Sequence, residues 1–297
     1  MYLEHFSLLE MPFGITPDTS FAYSCIGHQE ALNTLLVAAK NGDGFIKITG
    51  EVGTGKTLLC RRFLSMLESD FVSAYIPNPY LEPRALLLAL AQELGLALPA
   101  DIDQHHVLRT LNQALLDFAE QHKQVVVCLD EAQAMPLESL EALRLLSNLE
   151  TEKRKLIQVV LFGQPEIDDK LAHESVRQLR QRIIFQHRLS PLRRDEVDHY
   201  LSHRLRVAGY RGHRLFTESA VRAIHGATRG VPRLVNILAH KAMLLAYGEG
   251  LERIELRHVR AAAADTPAVK RSSWPRLWWL LGLLVVTLGV CGWLIVQ

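Results

Sequence analysis

Gly50-Glu51-Val52-Gly53-Thr54-Gly55-Lys56-Thr57 is the stretch that decides the fold. It has the form G-x-x-x-x-G-K-[ST]. Before it runs Phe45-Ile46-Lys47-Ile48-Thr49, an apolar, β-branched run that reads as a buried strand, and after it residues 58–67 place apolar side chains at helical spacing. Strand, glycine-rich turn and helix together make a phosphate cradle. Glycines let backbone N–H groups converge on an anion, and the helix N-terminus adds its dipole. The eight residues are therefore expected to bind a nucleotide, with Lys56 reaching the β/γ-phosphates and the Thr57 hydroxyl ligating Mg²⁺.

Outward from this loop, residues 71–76, 124–129, 156–162 and 183–187 are further strand candidates. Between them lie helical patterns at 83–94, 106–122, 136–150 and 175–181, and a helix at 30–40 precedes the loop strand. Strands that alternate with helices predict an α/β fold, a parallel sheet covered by helices, over residues 28–189. From Pro191 the strand signal stops. Residues 195–208, 217–227, 232–247 and 256–265 are all helical in pattern, which predicts a small all-helical domain over 190–265. Residues 1–27, with Pro12-Phe13 and Pro17, show little periodicity and read as an approach segment.

The chain has 297 residues, 48% hydrophobic and 22% charged, enough for about two domains with a sizeable core. A formal net charge of +1 gives no global field for a polyanion and argues against nucleic acid as a partner. Cys25, Cys60, Cys128 and Cys291 lack metal or redox spacing, so no disulfide framework is expected. The first residues have neither the basic nor the apolar part of a signal peptide. Residues 277–296 are different, because they carry no charge at all. Twenty helical residues span about 30 Å, the thickness of a bilayer's hydrocarbon core. Trp274, Trp278, Trp279 and Trp293 stand near the two edges, and Lys270, Arg271 and Arg276 flank the N-terminal side. The expectation is one C-terminal transmembrane helix in contact with lipid, a basic linker over 266–276, and the bulk of the chain on the cytoplasmic side of that membrane.

Chemistry beyond the loop begins at Asp130-Glu131, which closes the third strand. Ligands bind at the carboxyl ends of parallel strands, so Asp130 is suited to Mg²⁺ and Glu131 to orienting or deprotonating the attacking water. Gln164 ends the fourth strand, where an amide could meet the γ-phosphate or that water. Arg177, Arg180 and Arg182 form a basic stripe ahead of the fifth strand, either a solvated face or, for Arg180 and Arg182, a group inserted into a neighbouring subunit's site. Arg233 lies in a helix's first turn, where the macrodipole disfavours a cation, and that placement points to an anion. The thirteen histidines show no ligand spacing.

Taken together, these motifs resemble the AAA+ ATPases. Gly50–Thr57 stands as Walker A, Leu129-Asp130-Glu131 as Walker B and Gln164 at the sensor-1 position. Leu179-Arg180-Gln181-Arg182-Ile183 looks like the arginine-finger box and Gly230-Val231-Pro232-Arg233 like sensor 2. Tyr2-Leu3-Glu4-His5-Phe6, Tyr75-Ile76-Pro77-Asn78-Pro79, Asp130-Glu131-Ala132-Gln133 and Phe162-Gly163-Gln164-Pro165-Glu166 make the match close to the ExeA/GspA family, above all to members serving MSHA-type IV pilus biogenesis. The resemblance covers residues 1 to about 255. It implies ATP hydrolysis with Mg²⁺, ATP-dependent self-association into a ring, inner-membrane pilus or secretion proteins as partners, and an adenine pocket framed by Pro12, Phe13 and His28. Gln164 departs from the Asn usual at that position in AAA+ proteins. Members that act on the cell wall carry a periplasmic module, which the sequence to Gln297 does not include, so no such action is expected. A DNA-transposition-type regulator, favoured by the basic stretch 177–194, and an ATP-gated scaffold with little turnover are the rival readings. Glu131 argues against the scaffold.

Overall fold

The computed structural model describes residues 2–42, 44–99, 102–148 and 155–269. After a single turn, α1 (Tyr2–His5), an irregular segment leads to α2 (Ile26–Asn41), β1 (Phe45–Gly50), α3 (Lys56–Ser65) and β2 (Phe71–Ile76). Then come α4 (Pro83–Glu93), α5 (Gln104–Glu120), β3 (Gln124–Leu129), α6 (Leu137–Leu146) and β4 (Ile157–Gly163). Two short helices, α7 (Ile167–Leu171) and α8 (Arg177–Gln181), precede β5 (Ile183–Leu189). The remaining helices are α9 (Arg194–Val207), α10 (Glu218–Thr228), α11 (Pro232–Gly248) and α12 (Leu256–Ala264).

The five strands form one parallel sheet in the order β2-β3-β4-β1-β5. Side chains alternate across each strand, and the sequence supplies apolar groups at both phases. Phe45, Val125, Val127, Val159 and Leu161 share a core with α4, α5 and α6. Ile46, Ile48, Val126, Cys128, Val160 and Phe162 share the opposite one with α2 and α3. β1 is fully buried between β4 and β5, so the loop after it rises from the middle of the sheet. β5 is the edge strand beside β1, alternately covered and open. It runs two residues beyond the strand read from sequence, because Arg188 and Leu189 stay in register with Thr49 and Gly50. Asp103 caps α5 by accepting from the His106 amide at 3.0 Å, and Thr217 caps α10 by accepting from Ala220 at 3.3 Å.

The four C-terminal helices enclose a second core. Tyr2, Phe6, Leu8, Phe13 and Phe21 belong to it, packed among Leu201, Ile224, Val235 and Met243. The approach segment is thus a strap on the helical domain, about 200 residues away in the chain. Among the described residues no helix is long and apolar enough to cross a membrane, and the uncharged stretch 277–296 lies outside them.

Candidate active site

The loop after β1 turns on Gly53 and Gly55, with φ of +81° and +99°, values that a side chain would strain. A Cβ at Gly53 would also lie 2.6 Å from the Arg233 Cβ, so α11 of the helical domain sits directly on the loop. The Arg233 amide donates to the Gly53 carbonyl at 3.2 Å, while the Arg233 side chain is exposed and lines the cleft. His28, near the start of α2, braces the loop from behind. Its Nε2–H donates to the Thr54 carbonyl at 2.9 Å, its Nδ1 accepts from the Cys25 thiol, and burial pulls its pKa below the ordinary imidazole value.

Lys56 is buried and donates to the carbonyls of Gly50 at 2.8 Å and Glu51 at 3.2 Å. Burial lowers its pKa, while Glu131 and Asp130 oppose the shift. The Thr57 hydroxyl donates to Asp130 Oδ2 at 2.6 Å, bringing the end of β3 against the start of α3. Burial raises the Asp130 pKa against the hydrogen bonds from Thr57 and the Glu131 amide. A hydroxyl and a carboxylate this close, in a buried site with an ammonium group near, are the hard oxygen donors that suit Mg²⁺.

Glu131 comes next, in a left-handed conformation with φ +52°, sparsely populated by residues with a side chain. Its Oε2 accepts from Gln133 Nε2 at 2.6 Å and from Gln164 Nε2 at 3.3 Å, while Gln133 Oε1 accepts from the Gln164 amide at 2.9 Å. β3 and β4 are neighbours, and this puts Gln164 on Glu131. A cleft of about 190 Å³ opens here, walled by the loop, Glu131, residues 14–18, and Arg204 and Arg233 of the helical domain.

The structure moves the three residues assigned to the adenine. Pro12 and Phe13 are buried behind the wall: the Pro12 carbonyl accepts from Arg204, and the Phe13 ring meets Phe216 edge-on at 5.9 Å. Residues 14–18 of that segment face the cleft instead, and His28 supports the loop. Arg177 and Arg180 are exposed on α8, and the Arg180 side chain has no hydrogen bond or ion pair among the described residues. Arg182 is tied inside its own subunit, donating to the Arg144 carbonyl at 3.2 Å and the Ser147 hydroxyl at 2.8 Å. Sequence reasoning missed Gln133 and Arg204. Arg204 is buried, reaches Tyr200 at 3.2 Å and lies over the Phe21 ring at 4.7 Å. Its signal was a charge inside the apolar spacing Val197, Leu201, Leu205, Ala208.

A family described as AAA domain matches residues 39–171. The chain is 38% identical over 296 residues to General secretion pathway protein A of Aeromonas hydrophila, covering 99% of this chain and 54% of that protein. It carries an AAA domain and is similar along nearly its whole length to a member of the ExeA/GspA family. The match spans about half the length of that family member. A second relative, an uncharacterized HTH-type transcriptional regulator of Methanocaldococcus jannaschii, is 24% identical over 80% of this chain and 60% of its own. Among solved structures, the ORC2 protein of Aeropyrum pernix in its ADP form aligns with TM-score 0.62 at 17% identity, over 85% of this chain and 73% of its own. A Walker-type ATPase of Pyrococcus abyssi aligns with TM-score 0.54 at 18% identity over 92% of both chains. These two likenesses concern the fold alone. They cover the sheet and the helical domain together, between which the cleft opens.

Proposed function

We propose that this ATPase is anchored in the inner membrane through 277–296 and turns over ATP on the cytoplasmic side to drive assembly of an envelope machine, a type IV pilus of the MSHA kind. Similarity along nearly the whole chain supports the secretion part, since the relative from Aeromonas hydrophila is named for general secretion. The observation that carries the chemistry is the carboxylate of Glu131, aligned by Gln133 and Gln164 beside the Lys56, Thr57 and Asp130 cluster.

In this cycle the triphosphate enters between sheet and helical domain, and Lys56 exchanges its bonds to Gly50 and Glu51 for the β/γ-phosphates. Thr57 and Asp130 would hold Mg²⁺, which when bound would supply charge to neutralise the phosphate oxygens. Glu131 takes the proton of a water whose oxygen attacks the γ-phosphorus, and the bond to the β-phosphate oxygen breaks so that ADP leaves with the electron pair. Gln164 keeps the base oriented. Arg233 holds the helical domain to the phosphates, so their loss frees it to swing. Of the two arginines ahead of β5, Arg180 is the one available to complete a neighbouring subunit's cleft, because Arg182 is already engaged within its own subunit.

The test is ATP hydrolysis by the detergent-solubilised full chain over a concentration series, with Lys56→Ala as the dead control. Specific activity should climb with concentration and fall when Arg180→Ala subunits are mixed in, while Arg182→Ala should act mainly through stability. Activity flat in concentration would mean that each site works alone. In cells, Lys56→Ala should abolish assembled pili; normal piliation with lost protein secretion would shift the role to secretion proper.

A further inference from the structure

Charge is divided unevenly along the chain. Residues 1–189 hold 17 Lys and Arg against 24 Asp and Glu, whereas residues 190–297 hold 16 against 8, so a half of net −7 and a half of net +8 nearly cancel. The positive half comprises the helical domain and the residues C-terminal to it. At that domain's end opposite the nucleotide cleft, a hollow of about 590 Å³ opens between residues 5–7, 209–214 and 252–253. Arg211, Arg214, Arg253 and His213 contribute to it, with Glu252 the one acidic residue among the described lining. Arg214 is engaged by Asp198 at 2.8 Å and by the Phe216 carbonyl. Arg211 and Arg253 are exposed, with no hydrogen bond or ion pair among the described residues.

Position and reach identify the surface that covers this hollow. α11 starts on the phosphate loop and ends where the His5 and Tyr247 rings meet at 5.4 Å, so its 17 residues set the hollow about 25 Å from the cleft. α12 begins beside the hollow and returns over nine residues, about 14 Å, to Asp265, which pairs with Lys241 at 2.7 Å. The seven residues 270–276 lie between Val269 and Leu277, and the eight steps along the chain reach at most about 27 Å. A membrane span starting at Leu277 therefore keeps the helical domain at the bilayer surface, and the tether is long enough for the hollow to reach that surface. The sequence of that tether carries three more positive charges, Lys270, Arg271 and Arg276.

We infer that the hollow formed by residues 5–7, 209–214 and 252–253 docks on the headgroups of anionic phospholipids. This rests on the reading of 277–296 as a membrane span. Arginine forks match phosphate oxygens in pairs, and an anionic leaflet attracts basic side chains only within about a Debye length, roughly 8–10 Å, so the short tether is what makes the attraction count.

Hydrogen exchange on the full chain in bilayer discs tests this, with phosphatidylcholine alone compared with phosphatidylcholine containing phosphatidylglycerol. Amides of 209–214 and 251–254 should exchange about fivefold more slowly in the anionic discs, and Arg211→Gln with Arg253→Gln should erase the difference. That variant should keep its disc incorporation and its ATP turnover in detergent. Equal exchange in both discs, with the chain incorporated, overturns the docking surface and leaves the anchor standing. A chain that enters neither disc overturns the anchor reading and the docking with it. Equal protection by duplex oligonucleotide in neutral discs, without any from anionic lipid, would assign the hollow to nucleic acid and overturn the proposal.

Discussion

At the scale of single residues, the feature that matters most is how Glu131 is held. A left-handed backbone swings its carboxylate toward the cleft, and two neutral amides donate to one of its oxygens. Gln133 has the shorter bond and also accepts from the Gln164 amide, so it joins the base to the end of β4. Gln133→Ala should lower kcat roughly tenfold to hundredfold, the range set by losing a hydrogen bond of about 1.5–3 kcal/mol to a charged group. Affinity for a fluorescent ATP analogue should be unchanged. Equal loss in affinity and turnover would mean that Gln133 shapes the pocket and does not orient the base. The carboxylate was legible in the sequence as the second acid closing a strand after a phosphate loop. Its two amide partners were not, because Gln133 is offset by only two residues in a turn and Gln164 comes from a strand whose neighbour the sequence does not specify.

At the scale of elements, the phosphate loop is gripped from two sides, by α2 through His28 and by α11 through Gly53 and Arg233. The His28 grip depends on pH. An unfolded imidazole titrates near pH ~6.5, and burial holds the folded one lower, so the unfolded chain takes up the proton first. Its stabilising share is complete above about pH 6.5 and is lost as pH falls through the folded value. Glu196 works against the shift, and His187 and Arg62 reinforce it. His28→Gln keeps a donor for the Thr54 carbonyl without titrating. Its Tm should therefore fall less steeply than the wild type's below pH ~6.5. Parallel Tm curves for the two proteins would show that His28 does not carry this dependence. Elements themselves were readable to within a few residues, since hydrophobic period, caps and glycine stops act within one or two turns. α2 starts four residues before its pattern shows, at Ile26, because its first turn packs few apolar side chains.

At the scale of the molecule, the approach segment ties the chain's start to its helical domain. Phe13 is buried against Phe216 and does not line the cleft, yet the residues after it do. Phe13→Ala should cost about 3–5 kcal/mol of helical-domain stability and weaken ATP binding without touching nucleotide. Calorimetry with nucleotide titration would check this, and an unmoved transition would mean that the segment is no strap. The sequence determined the strand, loop and helix of the phosphate cradle, the acids ending β3, the alternation that makes the sheet parallel, and the uncharged run 277–296. Each of these is set by chemistry between residues near in the chain. Only the tertiary structure decided that residues 14–18 wall the cleft, that Arg204 lies buried beside it, that Gln164 rests on Glu131, and that Arg182 is engaged while Arg180 is exposed. Those outcomes depend on strand order and on packing between segments as much as 200 residues apart, where no local periodicity records the partner.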